Sequence, residues 1–175
     1  MKLPTESGQT HSRINAMQSA QGAILLGQGF YWQDISPGQR FRTHGRTVTE
    51  SDLIGFINAT GMLEAIFIDA EYEHGAMRGR PVPAALTTGL IEGMLFQTMI
   101  QGTGLALLEM SLKTHAPVEV GDRIRALIEV QEVKPTSKSN RAVVTSQIEV
   151  SNQRGEIVVS YMAKRLLAGR PLSGL

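Results

Sequence analysis

Residues 84–101, AALTTGLIEGMLFQTMIQ, form the longest helical pattern of this chain. Within it Ala85, Gly89 and Gly93 recur at every fourth position, so one stripe of the predicted helix has almost no side chains. Each glycine inside a helix costs about 1 kcal/mol relative to alanine. Two such glycines therefore predict that another surface packs closely against this stripe. Gly102 ends the predicted helix.

After this helix, the spacing of apolar residues changes from helical to alternating, which is typical of half-buried antiparallel strands. Turn-forming residues such as Gly121 and Gly155 separate the alternating segments. We therefore predict four strands, near residues 108–113, 123–130, 141–150 and 157–161.

The sequence before the long helix predicts shorter elements. Residues 39–48 read weakly as a strand, and Thr49 can cap a helix that ends at Gly61. A second short helix is expected over residues 69–75, and the prolines in residues 79–83 exclude regular helix there. This order of elements predicts an α+β fold in which one long central helix packs on a curved antiparallel β-sheet.

The composition limits the class of protein. The chain has 175 residues, 42% of them hydrophobic, and a net charge of +1, which indicates a globular domain and gives no reason to expect a nucleic-acid partner. No apolar run approaches the roughly 18 residues that span a membrane, so we expect a cytoplasmic protein without a membrane partner. The absence of cysteine excludes disulfides and a cysteine nucleophile.

We expect three regions along the chain. Residues 1–27 are rich in Gln, Ser, Thr and Gly and predict a loose N-terminal extension, with an arm that orders against a partner subunit as the alternative. Residues 28–168 form the folded domain, and residues 169–175 form a short C-terminal tail.

Several short motifs occur together in an order and spacing that resemble one family. They are DISPGQRF at 34–41, the segment 46–56 followed by Thr60-Gly61, RPVPA at 80–84, PVEVGD at 117–122 and NQRGE at 152–156. They resemble the MaoC-like acyl-CoA hydratase/dehydratase family over about residues 30–167. The resemblance implies the hotdog fold.

The resemblance also implies an activity and partners. Such enzymes add water to a 2-enoyl thioester or remove it from a 3-hydroxyacyl thioester, carried by coenzyme A or an acyl-carrier protein. They form homodimers or pairs of dimers with sites near the subunit interface. Coenzyme A is expected only as part of the substrate, with no separate cofactor.

The stretch TGMLEAIFID at 60–69 departs from the family pattern, in which Gly-Asp-x-Asn-Pro-x-His supplies the catalytic base and acid. Gly61 matches, but Met62 stands at the Asp position and Phe67 at the His position. Neither side chain can transfer a proton. The family's thioester-binding backbone N–H maps to Ala84, and any residue there except proline keeps that donor.

Two carboxylates are candidates for the missing chemistry. Glu64 lies in the departing stretch, where an apolar environment would raise its pKa and make it a usable base or acid. A solvent-facing or salt-bridged carboxylate is the alternative. Glu92 is the second choice, because thioesterases of this fold can use an acidic residue on the central helix. The alternative to a catalytic role is a structural one, either partly buried beside an arginine or at a subunit interface.

Four residues are candidates for substrate binding. Met62 and Phe67, with Ile66 and Met94, suggest an apolar pocket, although the same residues suit an ordinary core. Arg78 and Arg80 precede the central helix and could contact the phosphates of coenzyme A, or lie on the surface as loop charges.

The remaining ionisable candidates receive structural interpretations. Asp69 is expected to cap the helix predicted to begin there. His44, His74 and His115 stand alone, and no pair of histidines has metal-ligand spacing, so we predict no metal site. The sequence thus favours an acyl-thioester hydratase or dehydratase with a non-standard site. A non-catalytic acyl-CoA-binding subunit and a thioesterase are the alternatives.

Overall fold

The structure is a computed structural model that describes residues 25–69, 71–72, 80–137 and 139–171. Its helices are α1 (Glu50–Thr60), α2 (Ala65–Ile68) and the central α3 (Ala84–Phe96), after a short 3₁₀ turn at Trp32–Asp34. Its strands are β1 (Arg40–Arg42), β2 (Arg46–Thr47), β3 (Gly104–Thr114), β4 (Arg123–Pro135), β5 (Arg141–Ser151) and β6 (Ile157–Ala168).

The strands form an antiparallel sheet in the order β1-β4-β5-β6-β3, and β2 also pairs with β4. The core lies between this sheet and the helices, with Leu53 of α1 and Ile91 of α3 fully buried against sheet residues such as Ile128 and Ile148. The predicted α+β architecture, and four strands after the central helix, are confirmed.

Helix α1 begins and ends as its sequence predicts. The Thr49 hydroxyl accepts the Asp52 N–H at 3.2 Å, and the Asp52 carboxylate accepts the Thr49 N–H at 2.9 Å. This reciprocal capping box satisfies two N–H groups of the helix start. Gly61 ends the helix with a φ of 73°, a left-handed conformation that glycine adopts without a steric penalty.

Three predicted elements differ from the observed ones. The strand expected over residues 39–48 is two short strands, β1 and β2, that pair separately with β4. The helix expected from Asp69 is instead α2, and Asp69 follows its end; residues 70 and 73–75 lie outside the described residues. The central helix ends at Phe96 rather than residue 101, because the chain turns there into β3 and Gly102 adopts a φ of 71°.

Two predictions about burial are also wrong for the single chain. Strand β3 was expected to be half-buried, but it is an edge strand whose leucines are exposed on both faces. The stripe of Ala85, Gly89 and Gly93 was expected to pack closely, but a Cβ atom built on either glycine would meet nothing within 4 Å. Both surfaces lack a packing partner within the described chain.

The chain's two ends are described only in part. Strand β6 ends at Ala168, and the Gly169 N–H donates to the Asn140 carbonyl at 2.7 Å. The prediction for residues 1–27 falls mostly outside the described residues. Within the described ranges, no helix is long and apolar enough to cross a bilayer.

Candidate functional site

A cavity of about 350 Å³ opens at the start of α3, and we call it the helix-start cavity. Its volume lies near the lower end of the range for small-molecule sites. Apolar side chains dominate its wall, among them Ile66 and Phe67 of α2. It is lined by residues 66–67, 81–84 and 114–118, together with Thr87 and Val159.

The sequence before α3 shapes this cavity through its prolines. Pro83 is the N-cap residue with a φ of −55° and a ψ of 138°, so the helix begins at Ala84. The Val82 N–H donates to the Val118 carbonyl at 2.7 Å and ties this segment to the chain before β4. The helix start is therefore held against the wall of the cavity.

Ala84 brings a backbone donor to the cavity. It is the first residue of α3, and first-turn N–H groups have no acceptor within their own helix. The partial positive charge of a helix start favours an oxygen that carries negative charge. The position thus suits an oxygen that carries or develops negative charge.

Arg80 connects three parts of the site. Its Nε donates to the Phe67 carbonyl at 3.2 Å, and its guanidinium pairs with the Glu50 carboxylate at the start of α1. Arg80 therefore holds α1, α2 and the segment before α3 together, which is a structural role that the sequence did not indicate. Arg78, the other predicted phosphate contact, lies outside the described residues.

Some residues of the stretch 60–69 line the cavity, and others are exposed at the surface. Phe67 lines the cavity, whereas Met62 is exposed and does not line it. Glu64 occupies the N-cap position of α2 and is exposed, so the apolar environment expected for it is not formed within the described chain. The reason is that α2 begins directly after Glu64 and turns Ile66 and Phe67, rather than the carboxylate, toward the cavity.

Glu92 belongs to a separate, buried cluster in the middle of α3. Its Oε1 accepts hydrogen bonds from the Tyr161 hydroxyl at 2.6 Å and from Arg165 Nη2 at 2.5 Å. The Glu92 and Arg165 side chains are only 14% and 8% exposed. Burial, and then the Glu92 negative charge, raise the pKa of the Tyr161 hydroxyl, which therefore stays protonated. The predicted burial of Glu92 beside an arginine matches this geometry.

A second cavity, of about 510 Å³, lies near the end of α3 and is lined by residues including Phe30, Phe41 and Met94. The single apolar pocket suggested by Ile66, Phe67 and Met94 is thus two separate cavities. His44 is exposed and lines the second one.

His115 is among the residues that line the helix-start cavity, but its imidazole is directed to the opposite face of the sheet. In the β3–β6 register Thr114 pairs with Val159 and Lys113 pairs with Ser160. Adjacent strand residues point to opposite faces, so the Ser160 side chain points away from the cavity that Val159 lines. His115 Nε2 lies 2.8 Å from Ser160 Oγ and therefore faces outward.

The comparisons with known proteins agree on one family. A family profile described as "FAS1-like, dehydratase domain region" matches residues 36–161. The chain belongs to the MaoC-like hotdog hydratase family. The fold and family expected from the short motifs are confirmed.

Two relatives of this MaoC-like chain are named as a dehydratase and a hydratase of acyl-CoA thioesters. It is 27% identical to a 3-hydroxybutyryl-CoA dehydratase of Methylorubrum extorquens over an alignment of 119 residues. This alignment covers 67% of this chain and 74% of the relative. It is 28% identical over 109 residues to an (R)-specific enoyl-CoA hydratase of Rhodospirillum rubrum, covering 62% and 74%. A MaoC-like dehydratase structure from Rhodospirillum rubrum matches with a TM-score of 0.74 at 24% identity, covering 82% of this chain and 100% of that one.

Two features of this MaoC-like chain were missed from sequence. Thr87, one turn after Ala84, lines the cavity, and its hydroxyl has no partner among the described residues. Arg165 is the partner of Glu92, and the alternation of β6 could have revealed it, because it occupies a core-facing position among Tyr161, Ala163 and Leu167. A charged residue at such a position needs a buried partner.

Among the described residues, no three His, Asp or Glu side chains lie together in a way that could hold a metal ion.

Proposed function

We propose that this protein is an acyl-thioester hydratase or dehydratase that acts on a coenzyme A or acyl-carrier-protein substrate. One observation supports the proposal: the backbone N–H of Ala84, the first residue of α3, lies at an apolar cavity. The chain also belongs to the MaoC-like family. Coenzyme A enters as part of the substrate, and the proposal includes no separate cofactor. The names of the two relatives support the same reaction class.

The proposed dehydration needs one base, one acid and one oxyanion donor. The base removes a proton from C2, the thioester oxygen becomes an enolate held by the Ala84 N–H, and the C3–O bond breaks. The acid protonates the departing hydroxide, which leaves 2-enoyl thioester and water. Hydration is the reverse. An oxyanion donor of this kind contributes about 10²- to 10³-fold to the rate.

We propose that Glu64, the ionisable residue in the family's catalytic stretch, serves both proton transfers: it takes the C2 proton as the base and returns it as the acid to the departing hydroxide. It directly precedes α2, whose Ile66 and Phe67 line the cavity. Glu92 is the weaker choice, because its Oε1 already accepts from Tyr161 and Arg165 and it does not line the helix-start cavity.

The test is to incubate the pure protein with 2-enoyl-, 3-hydroxyacyl- and saturated acyl-CoAs and to identify all products by mass spectrometry. Gain or loss of one water supports the proposal, and free CoA would move the assignment to a thioesterase. Glu64→Gln should lower the hydration rate by about 10²- to 10⁴-fold, the range for general acid–base catalysis. Glu71→Gln, at another exposed carboxylate nearby, should leave it unchanged and serves as the matched control.

A non-catalytic acyl-thioester-binding subunit is the second candidate. One observation favours it: the described lining of the helix-start cavity contains no carboxylate, and the imidazole of its one histidine, His115, faces outward. Thermal stabilisation by acyl-CoA without turnover, at protein concentrations that would detect a slow enzyme, would support this candidate over the first.

We also propose a homodimer. The edge strand β3 exposes Leu105, Leu107 and Leu108, next to Phe96 at the end of α3. An exposed apolar edge strand is a surface onto which another chain can pair. Light scattering at micromolar concentration should give twice the chain mass, and Leu107→Glu should shift it to the monomer. A wild-type monomer would count against the proposal.

The phosphate role of Arg78 and Arg80 is also a proposal. If it holds, replacing Arg78 with alanine weakens CoA binding and reduces its dependence on salt concentration. Arg80→Ala should in addition lower stability, because its bonds to Glu50 and Phe67 are lost. Unchanged CoA binding in both variants would discard the role.

A further inference from the structure

The Thr87 hydroxyl is buried in α3 without a hydrogen-bond partner. The residue is 0% exposed, and its Oγ1 has no acceptor or donor among the described residues. A hydroxyl taken out of water without a new hydrogen bond costs free energy. Among the described residues, Thr103 Oγ1, Thr145 Oγ1 and Arg141 Nε are also buried and unpaired, but none of them lines the helix-start cavity. The position of Thr87 at that cavity therefore distinguishes it from them.

Other threonines of the helices do not share this state. The Thr60, Thr88 and Thr98 hydroxyls each donate to the carbonyl four residues earlier, at 2.7, 2.8 and 2.7 Å. The equivalent acceptor for Thr87 is the Pro83 carbonyl, which already accepts the N–H groups of Leu86 and of Thr87 itself. The Thr87 hydroxyl therefore has no hydrogen-bond partner within α3.

The free hydroxyl lies beside the helix-start cavity. Thr87 and Ala84 are three residues apart, which puts them on one face of α3, and both line the cavity. Phe67, Val118 and Val159 make the surrounding wall apolar. The Ala84 N–H and the Thr87 hydroxyl are thus two polar groups in an apolar surround, on residues whose backbone positions are about 4.5 Å apart along the helix axis.

We propose that Thr87 is a substrate-binding residue whose hydroxyl hydrogen-bonds the C3 oxygen of a 3-hydroxyacyl thioester. The inference rests on the proposed function, in which the Ala84 N–H holds the thioester oxygen. That oxygen is on C1, and the C3 oxygen is two carbons along the acyl chain, a separation on the scale of one helical turn. The same contact holds the water that adds to C3 in the hydration direction.

The proposal has a consequence for stability. A hydroxyl that is buried and unpaired in the free protein destabilises it, and is kept for what it binds. Thr87→Val replaces the hydroxyl with a methyl group of similar size. We expect the free variant to fold and to melt at the same or a higher temperature than the wild type. Thr87→Ser keeps a hydroxyl and is the matched control.

The experiment measures binding of 3-hydroxybutyryl-CoA and butyryl-CoA, which differ only in the C3 oxygen. Equilibrium dialysis with both thioesters quantified by mass spectrometry also reveals any conversion. Thr87→Val should weaken binding of 3-hydroxybutyryl-CoA on the order of tenfold and leave butyryl-CoA unchanged. Thr87→Ser should bind 3-hydroxybutyryl-CoA within a few-fold of the wild type.

The outcomes separate this inference from the proposed function. Equal weakening for both thioesters, or no change for either, would overturn the role of Thr87 while wild-type binding still supports an acyl-thioester protein. A folded wild type that binds neither thioester would overturn both proposals. Loss of the 3-hydroxybutyryl-CoA preference in Thr87→Val alone supports the inference.

Discussion

The start and the middle of α3 differ in whether their polar groups have hydrogen-bond partners. At its start, the Ala84 N–H lacks an acceptor within its helix and the Thr87 hydroxyl is unpaired, both beside an apolar cavity. In its middle, Glu92 accepts hydrogen bonds from Tyr161 and Arg165 of strand β6. The hydrogen bonds in the middle hold α3 on strand β6, whereas the polar groups at the start have no such partners among the described residues. The helix thus carries a structural region and a candidate binding region two turns apart.

The largest expected effect comes from breaking the cluster in the middle of α3. Arg165→Met leaves the Glu92 carboxylate buried without its cation and should cost about 3–5 kcal/mol in the free energy of unfolding. Chemical denaturation measures this. The double variant Glu92→Leu with Arg165→Met removes both charges and should be more stable than Arg165→Met alone. A cost below about 1 kcal/mol for Arg165→Met would show that the pair is not buried in solution.

The second effect concerns rate rather than stability. Ala84→Pro removes the N–H at the first helical position, where proline's fixed φ suits a helix start. If the proposed function holds, kcat/KM should fall by about 10²- to 10³-fold, the effect of losing one oxyanion donor. The unfolding midpoint should change little.

Ala84→Gly, which keeps the N–H, is the control for this variant. Similar losses of rate in the two variants would mean that cavity shape rather than the donor matters. If Ala84→Pro retained the wild-type rate, Ala84 would have no part in an oxyanion site.

The smallest expected effect is a change in the free energy of unfolding at Asp52, a partly exposed charged residue at the start of α1. Partial burial works to raise its pKa, but hydrogen bonds from Thr49 and the charge of Arg46 outweigh it and hold the pKa below its usual value. A lowered pKa stabilises the folded state above the unfolded value of about 3.9, and this contribution is lost as the pH falls through the folded pKa.

Asp52→Asn should therefore cost about 0.5–2 kcal/mol at neutral pH, the range for a helix cap. The difference from the wild type should shrink below about pH 4, as the wild-type carboxylate also becomes neutral. Urea denaturation between pH 3 and pH 7 measures it. A difference independent of pH would show that the charge of Asp52 contributes nothing.

Much of the fold was predictable, because its signals are local. The cap at Thr49, the stop at Gly61 and the start of α3 after Pro83 depend on neighbouring residues, and they occur where expected. The helix expected to begin at Asp69 does not begin there, because Asp69 follows the end of α2 (Ala65–Ile68), whose Ile66 and Phe67 line the cavity.

The site was less predictable, because burial depends on the whole fold. Glu64 and Met62 lie in the stretch that departs from the family pattern, but both are exposed in the described chain. Arg80 resembles a free loop cation in sequence, and only the packing of α1 against the segment before α3 gives it Glu50 as a partner. Periodicity cannot reveal contacts between residues 30 positions apart.

The order of elements, the caps of α1 and the family could be inferred from the amino-acid sequence alone. These follow from spacing, turn chemistry and residue identity. The tertiary structure determines which polar groups are satisfied: Glu92 meets Arg165, 73 residues away, whereas the Thr87 hydroxyl meets no partner among the described residues. The physical reason is that sheet register and helix packing, which act over long sequence separations, set the partners of buried polar groups.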